Sequence, residues 1–136
     1  MTRLLPLLCI LFANEVKSSG QPLTDYSSLI NTLRSAGVVV KPGDEIVQPF
    51  FSVRGRVINV AGEDVQVFEY VRLEEADAQA AVVSPNGTTV GSTTVYWDAS
   101  PHFYKKEKLV VLYVGDNTKL LKVLADALGP QFAGQK

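Results

Sequence analysis

The chain has 136 residues, of which 13 are Lys or Arg and 14 are Asp or Glu, and its formal net charge is −1 at pH 7. This length suits one domain with one core, and the balanced charge excludes the strongly basic character typical of nucleic-acid-binding domains. A single Cys and a single His exclude an internal disulfide framework, a cysteine-based zinc site and a His-rich metal centre. We therefore expect no nucleic-acid partner, no metal and no other cofactor.

The N-terminus has the pattern of an export signal. Arg3 precedes an apolar run from Leu4 to Ala13, which is shorter than the roughly 20 residues of a membrane span. The sequence predicts a signal peptide over residues 1–20, removed after Gly20 or Ser18, and a single mature domain over residues 21–136. The alternative is a cytosolic protein whose apolar N-terminus belongs to the fold.

Cys9 bears on membrane attachment. A bacterial lipoprotein cysteine follows a small residue at the end of the apolar run, whereas Cys9 lies within the run, after Leu7 and Leu8. The sequence therefore has no acceptable lipobox to support membrane anchoring. We expect an exported protein that is periplasmic, envelope-associated or secreted.

The first element of the mature chain is a predicted helix that opens at Thr24 and Asp25 and ends at Gly37. Its apolar face, at helical spacing, comprises Tyr26, Leu29, Ile30 and Leu33. A short β-branched run over Val38–Val40 follows, and the turn dipeptide Pro42-Gly43 stops it.

Hairpins account for most of the remaining chain. A strand over Phe50–Val60 turns at Ala61–Glu63 into a second strand over Asp64–Val71. After a helix over Leu73–Val83, the Thr- and Val-rich segment Thr88–Trp97 is expected to form a strand.

The C-terminal part holds the best-defined elements. A hairpin joins His102–Tyr104 to Leu109–Val114 across a charged turn, and the second of these strands is apolar enough to be buried on both faces. The closing helix is capped by Asp116 or Asn117 and stopped by Gly129-Pro130. The order α-β-ββ-α-ββ-α predicts an α+β domain: a mostly antiparallel sheet of about four to five strands with helices packed on one face.

Candidate chemistry is sparse. His102 is the one imidazole base, and Ser100 and Asp98 lie at alternate positions before it, so a strand would place all three on one face. Such neighbours stand about 6–7 Å apart, beyond direct hydrogen-bond reach. The ordinary interpretation is a histidine packed among the neighbouring aromatic residues.

Aromatic side chains give the most concrete binding hypothesis. Consecutive strand residues point to opposite faces, so one aromatic of each adjacent pair belongs to the second face of the sheet. If no helix covers that face, it presents an aromatic platform; otherwise the N-terminal helix or a loop covers it. The predicted binding residues are Phe50, Phe51, Trp97, His102 and Tyr104.

The sequence also resembles a known group of proteins. The motifs are Ser84-Pro85-Asn86-Gly87, Pro101-His102-Phe103-Tyr104, the run from Leu109 to Asp116 and the ending from Leu128 to Gly134. With these, the segment from Leu29 to Gly134 resembles small exported bacterial proteins of unknown function, many of them lipoprotein-like. The resemblance implies export and carries over no catalytic residues.

Together these observations favour a non-enzymatic binding or interaction module of the bacterial cell envelope, whose partner is a protein or a small molecule. The alternative is a small hydrolase-like enzyme centred on His102 with Asp98 or Ser100. A cleft that holds the imidazole against a carboxylate or hydroxyl would favour the enzyme.

Overall fold

The structure is a computed structural model and describes residues 22–136. The predicted signal peptide lies outside the described residues. The helices are α1 (Tyr26–Ser35), α2 (Leu73–Ala81) and α3 (Thr118–Leu128). The strands are β1 (Val40–Ile46), β2 (Gly55–Val60), β3 (Glu63–Glu69), β4 (Thr89–Val90), β5 (Thr93–Thr94), β6 (Pro101–Lys106), β7 (Leu109–Val114) and β8 (Ala133–Gly134). Within this range, no helix has the length and hydropathy that a membrane crossing requires.

The main sheet confirms the α+β class and the antiparallel pairing. Its strand order is β1-β2-β3-β7-β6-β8, and β4 pairs with β5 in a separate hairpin. The sheet has six strands rather than the expected four to five, because the two-residue β8 joins β6 through the pairs His102↔Gly134 and Phe103↔Ala133. As predicted, β7 is an interior strand, lying between β3 and β6.

The expectation that the helices pack on one face is wrong. Helices α1 and α3 cover what we call the first face, where Ile58, Val111 and Tyr113 are buried. Helix α2 packs on the second face, over Phe68 and Leu112. The physical reason lies in β7, whose successive residues are all apolar and therefore require cover on both sides.

One ion pair and one buried residue attach α2 to the second face. Lys105 of β6 extends its ammonium to within 2.7 Å of the Asp77 carboxylate of α2. Ala76, fully buried, is the helix residue in contact with this core. Because the apolar side of α2 is so short, the sequence pattern did not indicate which face it covers.

Three predicted strands differ from the observed ones. The segment expected to start at Phe50 is extended only from Gly55, since residues 50–53 form a turn that folds Phe51 onto Phe68, with ring centroids 4.5 Å apart. The Thr88–Trp97 strand is broken by a turn at Gly91, where φ is +60°. Strand β1 continues through Pro42, because an edge strand with a bulge tolerates proline.

The two best-capped helices follow the sequence closely. Asp25 caps α1 by accepting a hydrogen bond from the Ser28 backbone amide at 2.8 Å. The Ser28 hydroxyl in turn accepts from the Asp25 backbone amide at 2.9 Å, which completes a capping box. Asn117 caps α3 by accepting from the Leu120 amide at 3.1 Å. Gly129, at φ +92°, ends α3 as predicted.

A polar cluster joins β3, β7 and the start of α3 at one end of the first face. The Tyr113 hydroxyl donates to one carboxylate oxygen of Glu63, and the Asn117 side-chain amide donates to the other. The Asn117 backbone amide donates to the Tyr113 hydroxyl at 3.1 Å. The two hydrogen bonds that Glu63 accepts lower its pKa below the ordinary value, and the bond from Tyr113 has the larger effect.

Candidate functional site

An open groove of about 520 Å³ lies where β6 begins and β7 ends. One wall of the groove is formed by residues 95–101. The rest of its lining comprises Asn86, Thr88, Asp116 and Gln135. We call it the 95–101 groove. It brings together Trp97, Asp98 and Ser100, three of the site residues predicted from the sequence.

Hydrogen bonds from the chain hold this wall in place. The Trp97 indole nitrogen donates to the Gly87 carbonyl at 2.7 Å, and the Val95 amide donates to the Thr88 carbonyl at 2.8 Å. Gly87 is needed there, because its φ is +76° and a Cβ would lie 2.9 Å from the Phe103 ring. The groove is therefore built on fixed backbone contacts although it lies in a loop.

The turn at Asn86 is similarly closed. The Asn86 side-chain oxygen accepts from the Ser84 hydroxyl at 3.0 Å, the Thr88 amide at 3.1 Å and the Thr88 hydroxyl at 2.8 Å. All three of these donors belong to the turn itself, so the Asn86 side-chain oxygen stabilises the turn.

Tyr96 is the most exposed large hydrophobic side chain of the groove, at 90% exposure. The neighbouring Trp97 is half-buried and meets Phe50 and Phe103 edge to face, with centroids 5.7 and 5.9 Å apart. The charged side chains of the described lining are the carboxylates of Asp98 and Asp116. The groove thus offers an aromatic ring beside negative charge.

His102 lies outside this lining and is 3% exposed. Its Nδ1 is 2.8 Å from Gln131 Oε1, and its Nε2 is 2.9 Å from the Gly115 carbonyl oxygen. Both ring nitrogens are thereby engaged with an amide and a backbone carbonyl. In this geometry His102 has no nitrogen free to activate the Ser100 hydroxyl or to bind Asp98.

The structure separates the predicted aromatic set. Phe50, Phe51 and Trp97 pack on the second face, whereas Tyr104 is buried on the first face. His102 stacks on Tyr113 of the first face at 5.9 Å between centroids. The alternation argument is confirmed for Phe103 and Tyr104, which lie on opposite faces of the sheet. It is wrong for Phe50 and Phe51, which both pack on the second face because they lie in a turn and not in a strand.

The second face does not present an open aromatic platform in the described part of the chain. Helix α2 and the β4–β5 hairpin cover it, through Ala76 and Val90. A role of the five predicted aromatic and His residues in binding stays a prediction.

Four residues near the groove were missed from the sequence: Tyr96, Asp116, Gln131 and Gln135. A signal existed for Tyr96, because three consecutive large apolar residues, Val95 to Trp97, cannot all point to the same side of an extended chain. The contact of Gln131 with His102 joins positions 29 apart along the chain, and no local pattern indicates it.

A second cavity, of about 540 Å³, lies beside α2 and is lined in part by Tyr70, Val71 and Gln79. The Tyr70 hydroxyl donates to Gln79 Oε1 at 3.0 Å. Burial raises the pKa of Tyr70 to about 12, so this hydroxyl remains a neutral donor at physiological pH. Val71, 82% exposed, marks its outer rim.

Residues 22–136 contain no group of three or more His, Cys, Asp or Glu side chains placed to hold a metal ion. No protein-family model, curated protein or solved structure matches the chain.

Proposed function

We propose that the protein is an exported, non-enzymatic binding module of the bacterial cell envelope and that it binds its partner through the 95–101 groove. The observation that carries this proposal is Tyr96, a large aromatic side chain 90% exposed on a loop whose neighbours are hydrogen-bonded in place. Exposed aromatics on a rigid support are typical binding anchors, since little conformational entropy is lost on contact.

The chemistry of the groove favours a partner with a positive charge. A tyrosine ring attracts a cation through its π face, and Asp98 and Asp116 add two negative charges to the same lining. A basic peptide segment or a small organic amine satisfies all of these features. The resemblance to small exported bacterial proteins supports the location of the partner in the envelope.

Tyr96→Ala tests the groove directly. We expect the variant to keep its free energy of unfolding within about 0.5 kcal/mol of wild type, because the ring is exposed. Affinity for a fluorescent Lys- and Arg-containing peptide is expected to fall at least about tenfold, the loss typical of a hot-spot residue. Fluorescence anisotropy on the full chain measures the affinity.

Val71→Ala is the matched control, since Val71 is 82% exposed but lies at the other cavity. It should bind the peptide like wild type. Equal affinity of Tyr96→Ala and wild type, or preference for an acidic peptide of the same length, would contradict the proposal.

The export part has its own test. N-terminal sequencing of the protein purified from the envelope fraction of its native host is expected to begin after Gly20 or Ser18. Recovery of the chain with an intact Met1 would instead support a cytosolic protein.

A further inference from the structure

His102 is the one histidine of the chain and is 97% buried, yet both its ring nitrogens face oxygen acceptors. The Gly115 carbonyl can only accept. The Gln131 amide is oriented by its own nitrogen, which donates to the Ala133 carbonyl at 3.3 Å and to the Gln135 carbonyl at 2.6 Å. Its oxygen is therefore the atom that faces the imidazole.

This arrangement distinguishes the two protonation states of the ring. A neutral imidazole has one N–H donor and one lone pair, so only one of the two acceptors is satisfied. The imidazolium has two donors and satisfies both, with charge-assisted hydrogen bonds. Burial of the charge costs free energy, and these two bonds offset that cost.

The neutral ring leaves a second arrangement open to Gln131. If its amide turns over, the nitrogen donates to the ring lone pair, but the oxygen then faces the carbonyls of Ala133 and Gln135. The segment from Gln131 to Gln135 loses those two hydrogen bonds. One side-chain amide thus has two discrete states that the charge of His102 selects.

The segment is also part of the groove. Gln135 lines it, and the Gln135 backbone amide donates to the Pro101 carbonyl at 2.9 Å. Gly115 directly precedes Asp116, which also lines the groove. His102 is consequently hydrogen-bonded to two separate segments of the chain, each of which also contributes a residue to the groove or directly precedes one.

We propose that protonation of His102 fixes the Gln131–Gln135 segment against the sheet and thereby makes the 95–101 groove a pH-responsive site that is more rigid in acid. Its consequence for ligands rests on the proposed function; the conformational response itself does not.

Tyr113 is the titratable side chain that the structure shows in contact with the His102 ring, and the neighbouring elements carry further charged groups. Tyr113 of β7 stacks on the ring, and its hydroxyl is bound to Glu63 of β3. From α3, Lys122 and Asp126 are paired with each other at 3.1 Å on the exposed side. Asp98 and Asp116 line the groove, and Lys136 follows Gln135 along the chain.

Nuclear magnetic resonance of the full chain tests the inference without a ligand. The single histidine gives unambiguous ring ¹⁵N signals, recorded between about pH 5 and pH 8, where histidines change charge. Amide exchange of Gly134 and Gln135, corrected for the pH dependence of intrinsic exchange, is measured on the same samples. We expect protection of both amides to fall about tenfold when the ring loses its proton. Equal protection in both ring states would overturn the inference.

Two variants of the segment separate the mechanism from a general effect of pH. Gln131→Met removes the amide, so protection should be low throughout and independent of the charge on His102. Gln135→Met changes a side chain of the same segment but keeps the backbone oxygen that Gln131 binds, and it should respond like wild type. A wild-type response in Gln131→Met would contradict the proposal.

The outcome is independent of the peptide experiment. A normal exchange response together with unaltered binding by Tyr96→Ala would remove the groove as the binding site and leave the switch. Loss of peptide binding in Tyr96→Ala together with equal amide protection in both ring states would keep the groove as the binding site and remove its regulation by pH.

Discussion

Replacing Phe103 with alanine is expected to lower the free energy of unfolding by about 3–5 kcal/mol, the range for truncation of a buried aromatic residue. The Phe103 ring is fully buried on the second face. It meets Trp97 at 5.9 Å, Phe132 at 6.0 Å and Phe51 at 6.4 Å between centroids. Its removal leaves a cavity among side chains held on three other segments of the chain, so little collapse can compensate.

Urea denaturation measures this loss, followed by the fluorescence of Trp97, the one tryptophan of the chain. The control is Phe132→Ala, which removes a ring from the same cluster at a position 37% exposed. It should cost only about 1 kcal/mol, because much less apolar area is removed from water in the folded state. Similar losses in the two variants would show that the second face is loosely packed.

Tyr113→Phe is expected to cost about 1 kcal/mol at neutral pH, the typical net contribution of a hydrogen bond, because it removes one buried hydroxyl that bonds to two partly exposed partners. The Glu63 carboxylate loses a donor, and the Asn117 backbone amide loses its acceptor. The effect should also depend on pH. The lowered pKa of Glu63 stabilises the fold fully above the ordinary value of 4.5, and this contribution is lost as the pH falls through the depressed value of the folded state.

The difference in melting temperature between wild type and Tyr113→Phe should accordingly be largest near neutrality and shrink in acid. Tyr104→Phe is a matched control, because Tyr104 is 1% exposed on the same face and its hydroxyl has no hydrogen bond to another described residue. Burial is the main cause that raises the pKa of Tyr104, and the neighbouring Tyr113 contributes further. A difference for Tyr113→Phe that is constant with pH would exclude Glu63 as its source.

The central elements could be predicted because their signals are local. The uninterrupted apolar run of β7 indicates a strand buried on both sides, and its neighbour in the hairpin follows from the charged turn. The cap at Asn117 and the stop at Gly129 defined α3 in the same way. In each case one stretch of chain contains both the element and the residues that end it.

What could not be predicted depends on contacts between distant positions. The turn at Phe50 is stabilised by the packing of Phe51 on Phe68. The bend in the Thr88–Trp97 segment is stabilised by the hydrogen bond from the Trp97 indole to the Gly87 carbonyl. His102 was identified as a candidate base from its chemistry alone. Its actual partners, Gly115 and Gln131, are set by the end of β7 and by the segment that carries β8. The groove itself is assembled from these long-range contacts.

The two margins of the sheet restrict how a partner can attach. At one margin, β1 carries a bulge between Pro42 and Glu45, and Pro42 has no backbone N–H to donate. At the other, β8 is only two residues long, and Gly134 lies so close to Pro101 that a Cβ would be 2.1 Å from its carbonyl oxygen. Within residues 22–136, addition of an extended peptide to the sheet is therefore disfavoured at both margins. If the protein binds a partner as proposed, we expect side chains to make the contacts, with the exposed Tyr96 first among them.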